Sequence, residues 1–224
     1  MNIVMKCMLV MLVCASLVPL VQASQCSGAF TSTLSEGNTD LAGAEAGPYG
    51  TVCVDTTSTT TATITFTSFS DFLFGDGSAA GVNVNAGSFA ESFSSESRGG
   101  STLSGVFKDF SSGTADGFGT FNLLLDNNNF SPDDRADTIV FTVTNLSGTW
   151  ASAADVLAGN AGGFDAVAHM MALNGNPVDC SDCVTGFAAE GGAASVPEPR
   201  SYGLVLSGLM VFGIVVFRRR RLAD

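Results

Sequence analysis

Alternating apolar and polar positions are the clearest pattern in the middle of the chain. In residues 62–67, the alanine, isoleucine and phenylalanine fall on one side of an extended chain and the threonines on the other. This alternation predicts a β-strand with one buried face. Residues 138–145 repeat it, and residues 118–125 form a third apolar segment of strand length. Shorter predicted strands cover residues 81–85, 88–93, 103–107 and 184–188.

Turn-forming residues separate these segments, with glycine, asparagine and aspartate concentrated at 75–78, 98–101 and 126–129. Ser152 and Asp155 resemble a helix-capping pair and predict one short helix over residues 153–158. Residues 164–173 lie tightly between glycine-rich turns, which favours a further strand. Many short strands at this spacing predict an all-β fold, an antiparallel β-sandwich of jelly-roll type with one short helix.

The N-terminus has the organisation of a secretory signal peptide over residues 1–23. Lys6 supplies a positive start, residues 7–21 are almost wholly apolar, and small residues follow where signal peptidase cleaves. We therefore expect export through the Sec machinery and cleavage between Ala23 and Ser24. An uncleaved membrane anchor is the alternative, although the apolar run is short for a span of about 20 residues.

The C-terminus consists of three parts in a fixed order. Val196-Pro197-Glu198-Pro199 is held extended by its two prolines. Residues 201–217 are apolar and long enough for a transmembrane helix across a thin bilayer. The positive-inside rule keeps the basic end on the cytoplasmic side. That end is Arg218, Arg219, Arg220 and Arg221.

The domain boundaries follow from these two ends of the chain. Residues 191–195 are small, so they are predicted to form a flexible spacer before the motif. Residues 24–190 are then a single extracytoplasmic domain, a length that one globular core can fill.

The arrangement over residues 196–221 resembles the PEP-CTERM sorting signal of Gram-negative bacteria that make exopolysaccharide. The resemblance implies that exosortase, a membrane protease, processes the chain at the PEP motif. It also implies transient anchoring in the inner membrane by the C-terminal helix, followed by delivery of the body to the cell surface or a biofilm matrix. An ordinary tail anchor behind a proline linker is the alternative.

The body is also similar to one group of PEP-CTERM proteins. The similarity lies in residues 118–125, Asp155-Val156-Leu157, residues 164–169 and Thr185-Gly186-Phe187. It implies a compact β domain with no known activity.

The charge of the body excludes one class of partner. Between Ser24 and Ser195, three basic residues stand against nineteen aspartates and glutamates, a balance of −16. A body this acidic repels phosphate backbones, so we expect no nucleic-acid binding. It suits an extracellular setting and divalent cations.

Four cysteines remain after export, namely Cys26, Cys53, Cys180 and Cys183. An even number outside the cytoplasm predicts structural disulfides. Three connectivities are open, and proximity along the chain favours Cys26–Cys53 and Cys180–Cys183. A zinc site on Cys180-x-x-Cys183 could draw further ligands only from Cys26, Cys53 and His169. A redox site would need a βαβ context that the chain lacks.

One segment has the composition of a calcium site. Its oxygen donors are Asp126, Asn128, Asp133, Asp134 and Asp137. Calcium takes six to eight such oxygens, but the spacing does not fit an EF-hand loop. A solvated acidic loop is therefore the alternative, and calcium is the only cofactor that the sequence suggests.

His169 is the only histidine of the chain, and no nucleophile motif accompanies it. We expect a packing residue in an apolar strand and no catalytic residues. The sequence thus predicts a non-enzymatic envelope or exopolysaccharide-matrix protein. Its expected partners are exosortase, signal peptidase, the Sec machinery and exopolysaccharide. The alternative function is an extracellular calcium-dependent polysaccharide-binding module.

Overall fold

The computed structural model of the protein describes residues 30–75, 77–103, 107–127, 135–173 and 183–190. These described residues form twelve β-strands, one α-helix and one turn of 3-10 helix. The helix, α1, is Thr39–Ala44, and the 3-10 turn is Ala153–Asp155. The strands are β1 Phe30–Gly37, β2 Gly50–Thr56, β3 Thr61–Ser68, β4 Phe72–Phe74, β5 Gly77–Val82, β6 Phe89–Arg98, β7 Ser101–Thr102, β8 Phe107–Ala115, β9 Gly119–Asn127, β10 Thr138–Asn145, β11 Ala166–Ala172 and β12 Thr185–Glu190.

All of these strands pair antiparallel within one hydrogen-bonded sheet. The order along it is β7-β6-β10-β3-β2-β1-β12-β11-β5-β9-β8, and β4 pairs with β11. The sheet curls, so strands far apart in this order meet. Phe66 of β3 contacts Phe74 of β4 at a ring-centroid distance of 6.1 Å. Phe141 of β10 contacts Phe110 of β8 at 5.8 Å. The predicted all-β, antiparallel fold class is confirmed.

The core of the sheet follows from the alternation in the sequence. The alternating apolar side chains of β3 (Ala62, Ile64, Phe66) and β10 (Ile139, Phe141, Val143) are buried, and the residues between them are partly exposed. The two strands pair in register, with Phe141 opposite Ile64, so their buried side chains share one face. Strand β11 is buried on both faces, because a second cluster containing Val167, Phe118 and Phe164 covers its other side. The predicted strand at 164–173 is confirmed as β11.

The predicted helix at 153–158 is wrong. Only the 3-10 turn Ala153–Asp155 forms, and the Ser152 hydroxyl donates to the Asp155 carboxylate, 2.8 Å away, instead of capping the backbone. The residues that follow pair with another segment: Asn85 N–H donates to the carbonyl of Val156, and Ala158 N–H donates to that of Asn83. These pairings use backbone groups that a helix would need.

Of the predicted strand at 103–107, residues 104–106 lie outside the described residues, so it stays a prediction. Strand β7 ends at Thr102, Leu103 donates its N–H to the carbonyl of Glu96, and β8 begins at Phe107. Leu103 therefore adds one hydrogen bond to the short β6–β7 hairpin.

The chain divides into two units, Met1–Glu190 and Gly191–Asp224. The predicted signal peptide, Cys26, the spacer and the PEP-CTERM segment lie outside the described residues. In the part of the chain that the structure describes, no helix is long and apolar enough to cross a membrane.

Candidate functional site

A cleft of about 470 Å³ opens beside the β6–β7 hairpin. One part of its lining is the end of β3, the loop to β4 and the start of β4. The β6–β7 hairpin, the start of β10 and the residue after β11 complete it. These residues are 67–70, Phe72, Leu73, 97–100, Asp137, Thr138 and Leu173. We term this the hairpin cleft. Its volume lies in the range of about 300–1,000 Å³ that is usual for sites of small ligands.

Asp137 joins two walls of the hairpin cleft. Its carbonyl accepts from Ser68 N–H at the end of β3, at 2.8 Å. Its own N–H donates to the carbonyl of Ser97, at 2.9 Å, on the hairpin. Its carboxylate oxygen Oδ2 accepts from Gly99 N–H at 2.6 Å. These three bonds fix the position of the Asp137 carboxylate.

The hairpin turn places both of its glycines in the left-handed region. Arg98 pairs with Ser101, so Gly99 and Gly100 alone make the connection. Their φ angles are +58° and +78°, the left-handed region that a two-residue turn of type I′ needs at both positions. The tight turn holds Arg98 at the cleft and aims Gly99 N–H at Asp137.

The opposite wall of the cleft is apolar. Phe72, Leu73 and Leu173 are at most 8% exposed, and Phe69 is half-buried. Phe72 packs edge-to-face on Tyr49 at 5.0 Å. The turn at Phe69 is held by its N–H, which donates to the carbonyl of Tyr49, and by its carbonyl, which accepts from Phe72 N–H. This wall is therefore rigid and built mainly from aromatic and leucine side chains.

The predicted calcium ligands fall into separate places as far as they are described. Asp126 lies in β9, where its two oxygens accept from the hydroxyls of Ser78 and Ser111. Asp137 lies at the hairpin cleft. Asn128, Asp133 and Asp134 are outside the described residues. Within the described ranges no group of three or more His, Cys, Asp or Glu side chains could hold a metal ion.

His169 lies in β11 and packs against another aromatic ring. Its imidazole stacks on Phe187 with ring centroids 4.7 Å apart, and its Nδ1 is 3.0 Å from the carbonyl oxygen of Gly75. One ring nitrogen thus has a backbone partner and one ring face is covered, as expected for a packing residue.

The single tryptophan and the single tyrosine of the described residues are buried. Trp150 donates its indole N–H to the carbonyl of Asn85 at 2.8 Å, and Tyr49 donates its hydroxyl to that of Glu45 at 3.1 Å. Burial raises the pKa of Tyr49. Neither ring is available at the surface for stacking on a ligand.

Two of the predicted disulfide cysteines are described, and both are disulfide-bonded. They are Cys53 in β2 and Cys183 just before β12. Cys26 and Cys180, the partners predicted for them, lie outside the described residues. The pairing Cys26–Cys53 and Cys180–Cys183 therefore stays a prediction.

A second acidic group, outside the hairpin cleft, lies at the last residue of β12. Glu190 pairs with Leu34 of β1, and its Oε1 accepts from Asp165 N–H at 3.4 Å. Burial raises the pKa of Glu190 to about 7, and the neighbouring Asp165 carboxylate acts in the same direction. Sequence spacing gave no sign of this pair, because 25 residues separate the two side chains.

The residues of the hairpin cleft were not predicted as a site. A signal existed for Arg98, one of only three basic residues of the body, in a predicted glycine turn. No signal existed for Phe69, which is positioned by hydrogen bonds with the backbone of Tyr49 and Phe72, or for Leu173, which follows the strand paired with β4.

No protein-family model matches the chain, and comparisons with curated proteins and with solved structures find no match. Its function is therefore inferred from its own residues.

Proposed function

We propose that this protein is an exported, non-enzymatic component of the cell envelope or exopolysaccharide matrix, processed by exosortase at its PEP motif. The observation that carries the proposal is the order of motif, apolar run and arginine cluster over residues 196–221. Each part has a distinct physical role: an extended recognition site, a membrane span and a cytoplasmic stop. No one of the three parts alone would be specific.

The boundary of the body supports this proposal. Strand β12 ends at Glu190, and the five small residues at 191–195 come before the motif. A spacer of this composition lets a membrane protease reach Pro197-Glu198-Pro199 while the domain stays folded. The acidic charge of the body and its disulfide-bonded Cys53 and Cys183 are in keeping with an oxidising, extracytoplasmic location.

A non-enzymatic role is supported by the surroundings of the one histidine. His169 stacks on Phe187 and its Nδ1 faces the carbonyl oxygen of Gly75, which are the contacts of a packing residue. The calcium-dependent alternative has no comparable support, since Asp126 and Asp137 each accept hydrogen bonds from different segments.

We further propose that the curled sheet is a sandwich of jelly-roll type. Ring contacts between strands distant in the sheet order support two facing layers, namely Phe66 with Phe74 and Phe141 with Phe110. Such a closed core suits a surface domain that has to stay folded outside the cell.

Alanine substitution of Pro197, Glu198 and Pro199 tests the sorting proposal. Expressed in a host that has exosortase, the variant should remain as a full-length precursor in the membrane fraction. The unchanged chain should be shortened and should leave that fraction, with its N-terminus at Ser24. Fractionation, blotting against the body and mass spectrometry of both ends give the result.

Replacing Arg218 to Arg221 by four lysines is the matched control. Lysine keeps the positive charge that holds the tail in place, so processing should stay normal. Deleting the four arginines should misplace the tail and reduce processing. If the alanine variant is shortened and released at the normal rate, the protein is an ordinary tail-anchored protein and the sorting proposal fails.

A further inference from the structure

We propose that the hairpin cleft binds an uncharged, hydroxyl-rich sugar unit of a polysaccharide. This assigns a ligand class to a site that the sorting signal does not involve. It rests on the proposed matrix function for the source of the sugar, whereas the chemistry of the cleft is argued from its own residues.

The two charged side chains of the cleft select against charged ligands. Arg98 and the Asp137 carboxylate both line it. An anionic ligand could pair with Arg98 but would be repelled by the Asp137 carboxylate and a body of balance −16, and a cationic ligand could pair with Asp137 but would be repelled by Arg98. A purely alkyl ligand would desolvate both charges and give neither a partner. A neutral polyol avoids all three costs.

The polar groups of the cleft supply both kinds of hydrogen bond that a sugar hydroxyl makes. Asp137 accepts from Gly99 through Oδ2, so Oδ1 is the oxygen placed to accept from a ligand hydroxyl. A guanidinium carries five N–H donors, so Arg98 can donate to a ligand while keeping another contact. Three hydrogen bonds and a two-residue turn hold these groups in place before any ligand arrives. Such preorganisation lowers the entropic cost of binding.

The apolar wall suits the other side of a sugar ring, which presents C–H groups. Phe69 is the half-buried ring of this wall, beside the buried Phe72, Leu73 and Leu173. A cleft with one apolar wall and a few fixed polar groups is the usual form of a small-molecule site. The single ring of Phe69 can pack on one sugar unit, and the other units of the polysaccharide would then lie in solvent.

Binding is tested on the full-length chain in a detergent without a sugar headgroup. The probes are four trisaccharides in three charge classes: uncharged maltotriose and cellotriose, anionic alginate trisaccharide and cationic chitosan trisaccharide. Amide resonances of Gly99 and Gly100 report on the cleft. We expect saturable shifts with at least one uncharged sugar, and at least tenfold weaker binding of both charged ones.

Two variants locate the binding. Asp137→Asn keeps the side-chain shape and Arg98→Gln lies on the hairpin, and each should weaken binding about tenfold by removing one charged hydrogen-bond partner. Asp126→Asn is the matched control, because Asp126 of β9 does not line the cleft and accepts from Ser78 of β5 and Ser111 of β8. The affinity of this variant for the sugar should not change. A dispersed amide spectrum establishes that each variant is folded.

Several results would overturn the proposal: no shift with either uncharged sugar, tighter binding of a charged one, or an equal loss of affinity in Asp126→Asn. The sorting proposal has a separate readout, since Asp137→Asn should be processed at the PEP motif like the unchanged chain. Normal processing without sugar binding refutes only the cleft, and sugar binding without processing refutes only the sorting.

Discussion

At the scale of single residues, Glu190 is the side chain whose behaviour depends most on the fold. Its carboxyl group is partly buried and lies next to Asp165. Loss of solvent and the neighbouring negative charge therefore both disfavour its charged form. Its pKa rises from 4.5 to about 7. The folded state therefore binds this proton more tightly than the unfolded state does. The contribution of protonated Glu190 to the free energy of unfolding is fully present below pH 4.5 and is lost as the pH rises through about 7.

Substitution Glu190→Gln removes this ionisation while keeping the size of the side chain. At pH 8 the variant should be more stable than the unchanged protein by about 1–2 kcal/mol, a value reduced for solvent screening at this partly exposed site. At pH 4 the two should be equal within error. Urea unfolding of the full chain at both pH values measures the difference. Glu36→Gln, an exposed glutamate on the neighbouring β1, is the control and should show no such change.

His169 and Asp137 show what sequence reasoning can do for single residues. The expectation that His169 packs in an apolar strand agrees with its stacking on Phe187. The sequence suggests Asp137 as one of five candidate calcium ligands, with a solvated acidic loop as the alternative, and in the structure its carboxylate accepts from Gly99 N–H of the hairpin. The apolar neighbours of His169 in the sequence indicate that it packs in a strand. The hydrogen-bond partner of Asp137 lies on a segment 38 residues away, which the sequence does not indicate.

At the scale of elements, the β6–β7 hairpin is the feature on which the cleft depends. The substitution Gly99→Val should destabilise the protein by about 1–2 kcal/mol, because a β-branched residue is strained at a φ of +58°. No atom lies within 4 Å of the position that a Cβ would take, so the cost comes from the backbone and not from a clash.

Gly99→Asn is the matched control for the hairpin, since asparagine tolerates the left-handed region better than valine does. Its free energy of unfolding should lie close to that of the unchanged protein in the same urea titration. Equal losses for valine and asparagine would mean that the hairpin backbone adjusts, and the assigned turn conformation would be wrong.

Strands with strict alternation were predicted well, whereas some elements with few apolar residues were missed. The predicted strand at 138–145 coincides with β10, and 62–67 lies within β3. Strand β1 was missed because Phe30–Gly37 contains only two apolar residues, and the buried position is Leu34. Helix α1 was missed because Thr39–Ala44 is too short for a helical period. It begins where Asn38 accepts from Leu41 N–H.

At the scale of the whole molecule, the two predicted disulfides differ in the length of the loop that each one closes. Substitution Cys53→Ser should lower the free energy of unfolding by about 2–4 kcal/mol, because the predicted Cys26–Cys53 bond closes a long loop. Cys183→Ser should cost less, since the predicted Cys180–Cys183 loop is short. Urea unfolding of the oxidised full chain measures both. Non-reducing peptide mapping that links one predicted pair to the other would contradict the connectivity.

The order of strands in the sheet is the property of the whole molecule that the sequence did not reveal. Strand β1 pairs with β12, near opposite ends of the body, and β10 lies between β3 and β6. Each of these pairings depends on the combined packing of many side chains in the curled sheet. An alternating pattern records which face of a strand is buried, but it does not record which strand is the neighbour.

The sequence by itself determined the antiparallel all-β class, the strands with clear alternation, the acidic character of the body and the three-part C-terminal signal on which the proposed sorting depends. These are local properties, encoded in the spacing and type of adjacent residues. Only the tertiary structure decided that Phe69, Arg98, Asp137 and Leu173 line one cleft and that Glu190 lies beside Asp165. These residues come from separate segments, and they meet because burying the apolar faces of the strands curls one sheet around a shared core.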